Sequence, residues 1–202
     1  RRVAIALGAR YLDTGAMFRA MTWAMLRDGV DVSDPEAVAA HAEHPTIVSG
    51  TDPSDPTITV DGVDVAEDIR GEDVTGAVSP VSAVPQVRAR LLDLQRSIIG
   101  SGAIVVEGRD IGSVVAPDAH VKVYLTADAA ARAARRAAEE GGSDVAATQE
   151  SLLSRDKIDS GRATAPLTMA DGAVHIDTTD LTLDEVIDRV VALAEAVEGA
   201  GL

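Results

Sequence analysis

Short apolar runs separated by amphipathic stretches constrain this chain more than any other feature. IVVE at 104–107 and VKVYL at 121–125 are too short to cross a core as helices. IVVE is apolar up to its last residue and VKVYL is interrupted by Lys122, runs that suit strands of a parallel sheet covered on both faces. The strand-like AVHID at 173–177 leads to a helix from Leu183, with Thr182 and Glu185 spaced as a capping box. Upstream, PQVRARLLDLQRSII places Val87, Leu91, Leu94 and Ile98 on one helical stripe. Residues 1–8 read as the tail of a helix closed by Gly8, followed by a short strand at Tyr11-Leu12. AMFRAMTWAMLRDG reads as a helix closed by Gly29. Strand, helix, strand, helix predicts a doubly wound α/β fold with helices on both faces of a parallel sheet.

Two segments break that rhythm. Between Ile47 and Val65, β-branched residues alternate around Pro53, Pro56 and Asp61-Gly62, which predicts a small β insert with a hairpin turn. DAAARAARRAAEE at 128–140 is a helix too rich in alanine to bury much area, and a loose GGSD separates it from a second helix beginning near Thr148.

Composition limits the function classes. The formal net charge of −15 argues against a broad electrostatic footprint on nucleic acid, while leaving room for a local basic pocket. With no cysteine, disulfides and thiolate metal sites are excluded, which fits a reducing cytoplasm. No apolar run is long enough to span a bilayer, and no membrane partner is expected. The four histidines are scattered, so no metal ligands are assigned.

In sheets of this kind ligands bind beyond the carboxyl ends of the strands. Three segments bring arginines with acids or hydroxyls to such places. GRD at 108–110 follows an apolar strand and sets a cation beside an anion. LDTGAMFR at 12–19 follows a strand and opens a helix, whose N-terminus favours anions. SRDKIDSGRAT at 154–164 spaces Arg155, Asp159 and Arg162 by four and three, roughly one helix face. Guanidinium forks match phosphate oxygens, and carboxylates and hydroxyls suit a sugar or base. Each segment also has a plainer reading: a structural ion pair at Arg109-Asp110, a simple helix cap at Asp13-Thr14, and a solvated salt-bridged face at 155–162.

Taken together, LDTGAMFR, SPVSAVPQVRARLLDLQR, VVEGRDIGSVVAPDA, VKVYL and SGRATAPL resemble the signatures of the bacterial cytidylate kinases, in that family's order and from the first residues to about Leu193. The resemblance implies a nucleoside monophosphate kinase that moves the γ-phosphoryl group of ATP to CMP or dCMP with Mg²⁺. Its fold would be of the P-loop NTPase type: a monomeric, cytoplasmic single domain over 1–202. A nucleotide-monophosphate-binding region would cover about 14–95, with its β insert at 47–65, and a helical lid about 128–147.

The resemblance also implies roles. Arg19 and Arg109 would hold the acceptor phosphate. Thr14, Arg88, Asp110 and Arg162 would surround the cytosine, and Ser79, Arg155 and Asp159 would lie near the ribose. Arg132, Arg135 and Arg136 would act from the lid and, with Arg109, stabilise the transferring phosphate. Thr14 and Phe18 stand where the family commonly has serine and tyrosine. No G-x-x-x-x-G-K-[S/T] phosphate loop occurs in these 202 residues. The chain therefore reads as starting after that loop and the first strand, and by itself is expected to turn over little substrate. Two rival readings are a kinase with another small-molecule acceptor and a non-catalytic nucleotide-binding remnant; Arg88 with Asp110 argues against the first.

Overall fold

The computed structural model describes residues 1–202 except 101, 140, 141, 143, 162–166 and 200–202, and the side chains at 151, 155, 159, 198 and 199 are likewise outside the description. The chain divides into two units, Arg1–Ile111 and Gly112–Leu202.

The first unit is built on a parallel pair of strands, β1 (Arg10–Asp13) and β5 (Ile104–Glu107), in a register that sets Asp13 opposite Glu107. Before β1, a short helix α1 (Arg2–Ala6) ends at Gly8, whose φ of +60° is the left-handed conformation that closes a helix at glycine. After β1, Asp13 accepts the Ala16 backbone N–H at 2.9 Å and caps α2 (Thr14–Arg27). The chain then forms α3 (Pro35–His41), a three-stranded antiparallel sheet of β2 (Ile47–Ser49), β3 (Ile58–Val60) and β4 (Val63–Asp64), and the helices α4 (Glu72–Ala83) and α5 (Pro85–Ile99). The strands expected between Ile47 and Val65 are present, and their Asp61-Gly62 turn has positive φ at both residues (50° and 81°), as a tight hairpin requires.

Only 2% of residues are aromatic, so methionine and aliphatic side chains fill this core. Met17, Met21 and Met25 recur every fourth residue along α2 and are fully buried, a use suited to the adaptable thioether. Leu12, Val38, Val60, Val81, Val87 and Leu91 close around them. Arg10 ties the end of α5 to β1 by donating to the carbonyls of Ile98 and Ile99 at 2.8 and 2.7 Å. A cation at a helix C-terminus also suits the helix dipole.

The second unit opens with a π turn over Ile111–Val115, which begins on the last residue of the first unit. It holds a second parallel pair, β6 (Val123–Thr126) and β7 (Val174–Asp177), with α6 (Ala129–Glu139), α7 (Val145–Gly161) and α8 (Leu183–Gly199). Ala133 and Ala137, one turn apart on α6, are buried, and α6 packs along α7. The expected capping box is present: Thr182 N donates to Glu185 Oε2 at 2.8 Å, and Glu185 N donates to Thr182 Oγ1 at 3.3 Å.

The structure thus shows a mixed α/β chain with parallel strand pairs and helices, and it differs from the sequence expectation in three respects. α3 and α4 lie outside the sequence expectation; Gly76, Pro80 and four β-branched residues (Val74, Thr75, Val78 and Val81) weaken the helical signal of α4. The second strand begins at Val123 rather than Val121, and α7 begins at Val145 rather than near Thr148. Burial holds for Leu12 but not for Leu125 and Val174, which are 52% and 42% exposed.

Leu91 is the clearest test of the first unit's core. Leu91→Ala is expected to lower the unfolding free energy by about 2–5 kcal/mol, read as a fall in the urea midpoint with an unchanged slope.

Candidate functional site

The end of β5 and the helices of the first unit carry half of the site residues singled out from the sequence: Thr14, Arg19, Ser79, Arg88, Arg109 and Asp110. Asp110 follows β5 and is buried, at 7% exposure, and its carboxylate accepts from Nη2 of Arg88 on α5, itself only 8% exposed. Arg88 is fixed from two further sides. Its Nη1 donates to the Ser82 carbonyl at 3.1 Å, and its guanidinium carbon lies 5.3 Å from the centre of the Phe18 ring. Ser82 in turn donates to the Ser79 carbonyl at 3.0 Å, which links the buried Ser79 to the same group. An ion pair so far out of water persists only if its remaining donors and acceptors are also met.

Thr14, buried at the first position of α2, donates its hydroxyl hydrogen to the Glu107 carbonyl at 2.7 Å. This bond pins the N-terminus of α2 to the end of β5. Gly108 makes the approach possible: a Cβ there would stand 2.3 Å from Thr14 Oγ1 and 2.7 Å from Ile111 Cδ1. Arg19, further along α2, donates from Nη1 to the Ile69 carbonyl at 3.0 Å and to Thr75 Oγ1 at 2.9 Å, which draws α4 and the segment before it onto α2. Arg109 is half-buried beside Asp110.

Sequence reasoning passed over a cluster at the strand ends. Glu107 keeps part of its surface in solvent, yet desolvation by the surrounding chain pushes its carboxyl above the ordinary range, and the Asp13 charge pushes the same way. Tyr11 hydrogen-bonds Glu107, and burial with that neighbour raises its phenol well above its usual range. The signal was available: paired in register, two strands both ending in an acid bring the acids together.

The second unit holds the alanine-rich helix. Arg132 donates from Nη1 to Asp156 on α7, and its Nε is buried with no hydrogen-bond partner. Arg135 donates to Thr178 Oγ1 at 3.0 Å and to the carbonyls of Thr178, Thr179 and Leu181, so its guanidinium braces the turn between β7 and α8. Arg136 reaches Glu139 at 3.6 Å one turn along the surface of α6. Arg155 and Asp159 sit on α7 with side chains outside the description, and Arg162 lies outside the described residues altogether.

Comparison with known proteins places this geometry in a class. The family model for cytidylate kinase matches residues 1–196. The cytidylate kinase of Streptomyces avermitilis is 57% identical over 202 residues, covering 99% of this chain and 87% of the relative. That of Streptomyces griseus is 58% identical over 197 residues, covering 96% and 85%. That of Nocardia farcinica is 54% identical over 200 residues, covering 95% and 86%. These relatives are phosphotransferases, and so is this chain. It belongs to the cytidylate kinase family.

The close approach at Gly108 yields a direct test. Gly108→Ala forces Thr14 or Ile111 aside and should destabilise the protein by about 1–3 kcal/mol, as overpacking does. A chemical denaturation curve at neutral pH reads the loss.

Proposed function

We propose that the protein transfers the γ-phosphoryl group of ATP to CMP or dCMP, giving CDP or dCDP. The buried Arg88–Asp110 pair carries the reading. A fixed donor beside a fixed acceptor, both out of water, is what discriminating two pyrimidine edges demands. Cytosine offers an exocyclic amino donor and a ring N3 acceptor, which suit Asp110 and Arg88 respectively. Uracil reverses both, and each buried mismatch costs about 1–3 kcal/mol. The pair therefore gives a preference for CMP over UMP on the order of a hundredfold.

The other roles follow from the family and from position. Arg19 and Arg109 hold the acceptor phosphate, Thr14 and Arg162 flank the base, and Ser79, Arg155 and Asp159 serve the ribose. Because its hydroxyl hydrogen is committed to the Glu107 carbonyl, Thr14 meets the nucleotide through its lone pairs. An acceptor phosphate oxygen attacks the γ-phosphorus in line as the bond to ADP breaks, and arginines take up the developing charge. On this reading the fold is of the P-loop NTPase type and the protein a cytoplasmic monomer. Residues 14–95 form the acceptor region, and 128–147 the lid that closes over the triphosphate. No helix among the described residues is long and apolar enough to cross a membrane.

Of the lid arginines, Arg132 and Arg136 reach the donor, while Arg135 is committed to the β7–α8 turn and anchors their helix. For magnesium, the described residues show no cluster of three or more histidine or acidic side chains, but this ion commonly takes one or two carboxylates together with substrate phosphates. Asp13 and Glu107 fit that use. They are register partners with hard oxygens, and a divalent cation would offset both the desolvation that chiefly raises the Glu107 carboxyl and the Asp13 charge that adds to it. These two would hold the ion, which when bound screens phosphate charge.

The test is kcat/KM for CMP and UMP in the full-length protein. Asp110→Asn should cut CMP turnover and narrow the CMP-to-UMP ratio, because an amide can turn its donor toward uracil's oxygen. Arg109→Ala should weaken both acceptors alike, since they carry the same phosphate. An unchanged ratio in Asp110→Asn would make the carboxylate purely structural.

A further inference from the structure

We propose that Asp156 is a positioning residue for phosphoryl transfer: from α7 it holds Nη1 of the Arg132 guanidinium so that the remaining donors are presented to the triphosphate. The inference rests on the reading of the protein as an ATP-dependent kinase.

The three arginines of α6 are held in different ways. Arg135 has donors spread over four oxygens of one turn, an arrangement complete without a ligand. Arg136 pairs along its own helix at the surface. Arg132 is held across helices, with Nη1 on the Asp156 carboxylate while its Nε is buried without an acceptor. Both partners are largely shielded, at 31% and 23% side-chain exposure, so solvent screening weakens their attraction less than for a fully exposed pair.

A guanidinium is planar and rigid, so with Nη1 held by Asp156 and Nε enclosed by the protein the direction of Nη2 is restricted. A buried N–H that lacks an acceptor is unfavourable until one arrives. Phosphate oxygens supply acceptors in the planar, bidentate geometry that arginine favours. Asp156 would therefore contribute to the rate without touching the nucleotide, by sparing Arg132 a search among rotamers when the donor binds.

A merely structural role, bracing α6 against α7, is the alternative, and the test separates the two. In the full-length protein, Asp156→Asn should lower the single-turnover rate of CMP phosphorylation by about 10–100-fold while leaving the Kd for CMP unchanged. Asp156→Glu should recover part of that loss. The exchange of the pair, Arg132→Asp with Asp156→Arg, restores the attraction between the helices but places the guanidinium on the wrong one. It should recover the melting temperature and not the rate. The proposal is overturned if Asp156→Asn turns over at the wild-type rate, or if the exchanged pair recovers rate and melting temperature together. If Asp156→Asn does not fold, the exchanged pair decides alone. Wild-type protein that fails to phosphorylate CMP from ATP would overturn the kinase reading and this proposal with it, whereas an active wild type beside an indifferent Asp156→Asn overturns this proposal only.

Discussion

The ion pair between Arg88 and Asp110 is the constraint around which the first unit is arranged. Two charges at 8% and 7% exposure have given up most of their hydration, a cost of several kcal/mol per ion that their mutual attraction offsets only with good geometry. The surroundings supply that geometry. Asp110 is placed by the strand ending at Glu107, and Arg88 by the helix that starts at Pro85. The Ser82 carbonyl and the Phe18 ring fix the guanidinium from two other directions. Phe18 presents an aromatic face, and that face is what Arg88 uses. Gly108 lets α2 and the end of β5 meet through Thr14, so the pair and the helix N-terminus are held on one rigid corner.

Arginine does several jobs in this chain, told apart by what each guanidinium is bonded to. Arg10 and Arg135 donate to backbone carbonyls and hold elements together. Arg19 joins α2 to α4 and to the segment before it. Arg88 and Arg132 instead face carboxylates across elements, an arrangement that sets direction as well as stability. Residue type alone does not separate these uses, which is why a strongly acidic protein can still hold local cationic sites.

Much of the fold was legible in the sequence because its signals are local. Gly8 and Gly29, the Asp61-Gly62 turn, and Thr182 with Glu185 each set a boundary through chemistry within a few residues, and each is where expected. α4 was not legible, because its interior glycine and proline argue against a helix and packing against α2 and α5 overrides them. The GRD triplet pointed to Asp110, but not to its direct pairing with Arg88, which lies 22 positions earlier. Contacts of that range depend on how β5, α4 and α5 pack. The bracing role of Arg135 was hidden for the same reason: its acceptors lie 43 to 46 residues away. The acids at Asp13 and Glu107 were readable once β1 and β5 were paired in register.

The central claim is that the Arg88–Asp110 pair exists for nucleotide recognition rather than for folding. Replacing both residues together, Arg88→Met with Asp110→Leu, removes the charges while keeping apolar volume, a change that often leaves stability level or raises it. Calorimetric titration of CMP, alongside a denaturation curve of the same double variant, decides the matter. The account predicts stability within about 2 kcal/mol of the parent and loss of measurable CMP binding. A double variant that still binds CMP with parental affinity, or one that unfolds outright, would contradict it.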